Sequence, residues 1–228
     1  MKWIAIGLAA IIAVAVGAWW YEHYRADSAL LKQPVYRVLK KHERALYDEL
    51  VDEYRVVQRG EGGSEKFVNL ANEKISLAAT QRLAHASRES VLALMQDMLL
   101  TARKLQGKPD DACFRYWFPQ VAGPPDIAQF IEPEAQAHTL ELMGEVIRSA
   151  AENPAPLPEP EAVKDDLASV INATYEQFGT DAQMLAHAED ARVDRGKVCT
   201  ITMSVYERIL KFPPDQASAL LRAMTQVR

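Results

Sequence analysis

The sequence predicts an all-α protein: an amino-terminal transmembrane or signal-anchor helix, then a multi-helix soluble domain of about seven or eight helices. Three observations predict it. Residues Trp3–Trp20 read WIAIGLAAIIAVAVGAWW, with no charged residue and no proline. Beyond residue 25, apolar residues recur at steps of three and four through most of the chain, the spacing of one helical face. No alternating β-branched run reaches strand length, and the few glycines form one cluster, at Arg59-Gly60-Glu61-Gly62-Gly63.

The apolar run comes first in the chain. At ~1.5 Å per residue it rises about 27 Å as a helix, close to the ~30 Å core of a bilayer. Lys2 precedes it, and Trp3, Trp19, Trp20, Tyr21 and Tyr24 flank it, the aromatic dressing of a membrane–water interface. Residues 1–25 are therefore read as a signal anchor or signal peptide with an aromatic interface flank. Small residues at Ala13-Val14-Ala15 or Val16-Gly17-Ala18 would suit a cleaved peptide. Cleavage after Ala18 would leave Trp-Trp-Tyr exposed, which favours retention as an anchor. As a buried helix of a globular core, the third reading, the run is unusually apolar. Arg25, Lys32, Arg37, Lys40 and Lys41 follow it and count against export, but long domains translocate largely regardless of charge. The expectation is a single-pass protein of the inner (cytoplasmic) membrane, with its soluble domain on the exported, periplasmic side.

Residues 26–151 read as a helical region. Pro34 suits a helix start. Val35, Leu39, His42, Leu46, Leu50, Tyr54 and Val57 then form one face up to the glycine break. Its seam admits a homodimer through the 35–57 helix. From Ser64 the pattern continues to Leu105, as one helix of about 40 residues or as two joined near Ser87-Arg88-Glu89-Ser90. Pro109-Asp110-Asp111 opens a short apolar element where Phe114, Tyr116, Trp117 and Phe118 crowd together. This knot is read as a core anchor, with a partner surface as the alternative. Asp126 caps a short helix ending near Ile131, and Pro133 starts a firm one carrying Ala137, Leu140, Met143, Gly144, Ile147 and Ala151.

Residues 152–162 are a proline-rich linker or strap, alternating proline from Pro154 to Pro160 as polyproline II does. Residues 163–228 form a carboxyl-terminal helical region packed on the preceding one. Val163, Leu167, Val170, Ile171, Thr174 and Phe178 mark its first helix. Val198, Ile201, Val205, Ile209 and Leu210 mark another, and Ala217 to Val227 a terminal amphipathic one. The Asn172-Ala173-Thr174 sequon lies within a helical pattern and is discounted as a glycosylation site.

The chain holds two cysteines, Cys113 and Cys199. An exporting compartment would let them bridge. The alternative is two buried thiols. Each cysteine leads an apolar element that ends in Pro-Pro-Asp, at 124–126 and at 213–215. That echo places them at comparable points of two adjoining halves. Neither has a second Cys or His at zinc-ligand spacing.

Net charge is −5, with 25% charged and 49% hydrophobic residues, ordinary for a globular chain. No basic stripe interleaved with aromatics appears, so nucleic acid is not an expected partner. The five histidines are scattered, and no GxSxG, phosphate-cradling loop or zincin motif occurs. No catalytic, cofactor or metal residue is assigned. The expected function is therefore non-catalytic: a protein–protein interaction in the cell envelope, at the membrane surface. The first alternative is an inhibitor or immunity-type protein for an exported toxin. The second is a hydrolase-like enzyme with a site around His138, Glu141 or His187, whose sharpest form sets Cys199 beside His187.

Overall fold

The computed structural model describes residues 24–225, and all of their regular structure is helical. The apolar run with Trp3, Trp19, Trp20 and Tyr21 lies outside them, as does Val227. Of the expected interface residues only Tyr24 is described, and it is 68% exposed. Among the described residues no helix is long and apolar enough to cross a membrane. The helices are α1 (residues 24–30), α2 (Pro34–His42), α3 (Arg44–Gln58), α4 (Ser64–Arg82), α5 (Arg88–Leu105) and α6 (Ala112–Trp117). They continue as α7 (Pro119–Ala122), α8 (Pro133–Glu152), α9 (Pro160–Phe178), α10 (Arg195–Ile209) and α11 (Pro214–Met224). Short 3₁₀ turns stand at Leu83–His85, Ile127–Gln129 and Gly179–His187. The described residues thus form more helices than periodicity predicts, because the long apolar runs are broken. The chain divides into two compact units, Met1–Ala78 and Ala79–Arg228.

In the first unit the expected 35–57 helix is two helices. Glu43 leaves helical geometry at φ −132°, ψ 56°. Val35, Tyr36 and Leu39 are buried before the break, and Tyr47, Leu50, Val51 and Arg55 after it. The inward face is therefore not the single stripe that spacing suggested: Leu46 and Val57 are half-buried, while Tyr36 and Val51 join the core. A contact from outside the helix reaches across the break. The Asp27 carboxylate of α1 accepts from Lys40 Nζ at 2.8 and 3.0 Å, and from the Tyr47 hydroxyl at 2.7 Å. One residue thus engages side chains on both sides of the bend. Tyr54 packs on Phe67 of α4, ring centroids 5.0 Å apart, and Lys74 pairs with Glu49 at 2.8 Å.

In the second unit α5 is the hub, packed by α6, α8, α10 and α11. Its apolar stripe of Val91, Leu94, Met95, Leu99, Ala102 and Leu105 is buried, so it has neighbours on more than one side. The run from Ser64 resolves into two helices. Ser87 caps α5 by accepting from the Ser90 amide at 3.2 Å, which satisfies a donor the helix start leaves open. Ser149 of α8 accepts from the Ser87 amide at 3.1 Å and meets the Ser90 hydroxyl at 2.9 Å.

The proline segment lies inside this unit and behaves as a strap. The Ala155 amide donates to the His85 carbonyl at 2.8 Å, and His85 Nδ1 lies 3.1 Å from the Ala155 carbonyl. Arg222 of α11 donates to the Ala84 carbonyl at 2.8 Å and also to the Pro156 carbonyl. Its guanidinium is buried, which works against its charge and lowers its pKa. On α9, Ile171 departs from the predicted inward stripe and is 47% exposed, whereas Val163, Val170 and Thr174 are buried. Helix α9 meets α10 and α11, and the stripe facing them is narrower than the run of apolar residues.

Burial, aided by the nearby Tyr54, pushes the Tyr36 hydroxyl up to about 12 from an ordinary value of 10.0. The stabilisation linked to this group is intact below pH ~10, where folded and unfolded chains both keep the proton. It falls as pH rises toward about 12, because only the unfolded chain then ionises readily. Tyr36→Phe should therefore move the onset of alkaline unfolding, followed by circular dichroism, to higher pH. An onset that stays in place would show that Tyr36 is not a linked group.

Candidate functional site

The densest chemistry of the described residues surrounds α6. Asp110 and Asp111 precede it in left-handed geometry, at φ 57° and 52°. Asp tolerates that region better than most side chains. Asp111 is held there from afar: its carboxylate accepts from Arg195 Nη1 of α10 at 3.1 Å. The same guanidinium lies over the Phe114 ring, 5.1 Å from its centroid. From within α6, Arg115 donates to the Gly123 and Pro124 carbonyls at 3.2 and 2.6 Å and closes the next loop.

One turn of helix feeds two apolar clusters. Cys113 packs with Leu99, Ala102, Leu105, Ile131, Cys199 and Met203, and Tyr116 and Trp117 lie against this group. Phe114 faces the other way, onto Ala188 and Val198, with Phe118 stacked on it at 5.1 Å. Trp117 stacks on Tyr206 of α10 at 4.9 Å, nearly parallel. Burial pushes the Tyr116 and Tyr206 hydroxyls up and keeps both protonated.

The aromatic knot is thus buried in part. Phe114 is 1% exposed, which corrects its place in the predicted partner surface, since no partner reaches it without unpacking α6 from α10. Tyr116, Trp117 and Phe118 are half-buried. Tyr206 and Met203 complete the seam. Both fall on the period that starts at Cys199, a signal that was legible but unused.

Cys113 and Cys199 lie at disulfide distance, with Cα atoms 5.8 Å apart and 86 positions between them in the chain. Were the two bridged, Cys199 would offer no thiolate, and the arrangement of Cys199 with His187 would lose its nucleophile. His187 is exposed, as are His138 and Glu141 on α8. Among the described residues no three His, Cys, Asp or Glu side chains come together to hold a metal.

The charges near Cys199 do structural work. Asp194 caps α10 by accepting from the Lys197 amide at 3.0 Å. Lys197 pairs with Asp181 at 2.7 Å. Asp190 accepts from the Arg192 side chain and backbone, which holds its carboxyl well below the ordinary range. On α9, Asp165, Ala168, Ser169, Asn172, Ala173 and Glu176 line an open groove of about 380 Å³. The sequon sits on this helix, where the Thr174 hydroxyl is turned inward and donates to the Val170 carbonyl at 2.7 Å.

A bridge closing a loop of this length limits the unfolded chain by ~4–5 kcal/mol on the chain-entropy model. Cys113→Ser/Cys199→Ser, or reduction, should lower stability in guanidinium by that order. Equal midpoints with and without reductant would mean that no bridge constrains the chain. Phe114→Ala should lower stability by roughly 3–5 kcal/mol, through lost burial and the cavity left behind. A loss under about 1 kcal/mol would remove Phe114 from the core.

Compared with known proteins, the chain is matched by no family model, by no curated protein and by no solved structure.

Proposed function

We propose that this chain is a non-catalytic, membrane-anchored helical protein that acts by protein–protein interaction on the exported side of the inner membrane. The observation that carries the reading is the cysteine pair, 5.8 Å apart at Cα and far apart in sequence, in a chain that also carries the uncharged run Trp3–Trp20. A bridge of this kind persists in an oxidising compartment, and an apolar run of this length suits a bilayer. The interaction surface is the outer face of α9. Ile171 and Tyr175, one helical turn apart, are 47% and 45% exposed there, beside the groove of Asn172 and Glu176.

Three measurements test the parts separately. Acid-trapped alkylation of cells should find no accessible thiol and should recover a peptide joining Cys113 to Cys199. Two alkylated thiols would move the domain to a reducing compartment. Alkaline extraction should leave the chain in the membrane pellet, and its release would remove the anchor. A photo-crosslinking residue placed at Ile171 or Tyr175 should capture a discrete protein adduct in cells. Capture from an exposed control position such as Leu100, but from neither of these two, would overturn α9 as the interaction face.

A further inference from the structure

We infer that the partner docked on the outer face of α9 presents a basic amphipathic helix; this rests on the α9 interaction face proposed above. Residues 159–176 carry Glu159, Glu161, Asp165, Asp166 and Glu176 against Lys164, a net of −4 in a chain whose total is −5. All the other residues together sum to −1. The chain's net charge is thus concentrated in the end of the strap and one helix.

Helical geometry sorts this charge into a strip. From Asp165, positions 169, 172 and 176 follow at steps of four, three and four, so Asp165, Ser169, Asn172 and Glu176 share a face. All four are exposed. The two carboxylates stand at the ends of the strip, eleven positions apart, or about 16 Å of helical rise. Lys164 is the one cation of α9, and it pairs with Glu161 at 3.2 Å. Asp165 and Glu176 have no ion pair among the described residues.

Between the acids the surface is low. Ser169 and Asn172, edged by Ala168 and Ala173, line the groove of about 380 Å³. Short side chains at a contact let two helix axes come close. Ile171 and Tyr175 stand along one flank, 47% and 45% exposed. An apolar flank beside an acidic strip is matched by a helix of the opposite pattern, with apolar residues on one side and cations beside them. Cations at i and i+11 of that helix fall on one face and span the same ~16 Å.

A second copy of this chain does not meet the requirement through α9. Antiparallel pairing about the middle of the strip sets Asp165 against the copy's Glu176, and parallel pairing sets each acid against itself. Both arrangements bring like charges together, which counts against the pair.

The test uses membranes from cells that express the full chain with a photo-crosslinking residue at Ile171 or, separately, at Tyr175. The peptide carried by the adduct is sequenced. It should have helical periodicity, with Lys or Arg eleven positions apart and apolar residues beside them. Adduct yield should fall as salt rises from about 0.05 to 0.5 M, because exposed charges are then screened. Asp165→Asn/Glu176→Gln should lower the yield by up to about fivefold for each carboxylate removed, and Asp165→Glu/Glu176→Asp should keep it. An adduct peptide that is acidic, or that comes from a second copy, overturns the inference. So does a yield that ignores salt or survives neutralisation. Should the neutralised variant lose its helical circular dichroism, the salt series and the adduct sequence on the native chain decide. Failure of the α9 face itself is distinct: neither position then gives any adduct, which removes the face and its partner together. An adduct indifferent to charge overturns the partner's chemistry alone.

Discussion

The join between α6 and α10 is the constraint on which the second unit depends. Helix α6 is little more than one turn and would not persist alone, since the first hydrogen-bonded turn is the costly one. It is held by what it inserts into its surroundings. Cys113 meets Cys199, Trp117 stacks on Tyr206, and Arg195 reaches back over Phe114 to Asp111. Each contact pairs an α6 residue or its leading turn with α10. Together they tie the middle of the chain to its carboxyl-terminal region, with α5 as the shared floor.

The same economy appears at Asp27 in the first unit. One carboxylate takes up Lys40 and Tyr47 from the two helices on either side of the break at Glu43. Arg222 is the counterpart in the second unit, a buried cation that satisfies carbonyls of the proline strap and of the turn before α5. A buried guanidinium without good acceptors is costly. Here the acceptors are backbone groups that the strap and the short 3₁₀ turn would otherwise leave open.

The residues that first suggest chemistry are largely absorbed by the fold. Asp194 caps a helix, Arg195 braces Asp111, and Cys199 is paired. His138 and His187 are exposed, and among the described residues no three His, Cys, Asp or Glu side chains come together to hold a metal. What the fold leaves exposed lies elsewhere, in the apolar pair Ile171 and Tyr175 on α9.

Much of this was legible in the sequence because it is local. Helical periodicity gave the all-α class, and Pro34, Pro133 and Asp126 marked element starts, since each signal is carried by residues within a turn or two of one another. The cysteine pairing could be anticipated because the chain offers only one pair. Partnerships between distant residues were not legible. Nothing near Glu43 announces a break, and Asp27, whose carboxylate spans it, lies in another helix. Nothing in the run Phe114–Phe118 says that its members divide between two clusters, because α10 and the 3₁₀ turn before it draw them apart. Ile171 reads as core by spacing and stands 47% exposed. The sequence by itself determined which segments are helical and which residues are apolar enough to be buried. The tertiary structure alone decided which apolar faces find partners and which charges are consumed, since burial and pairing depend on elements that meet only in the folded chain.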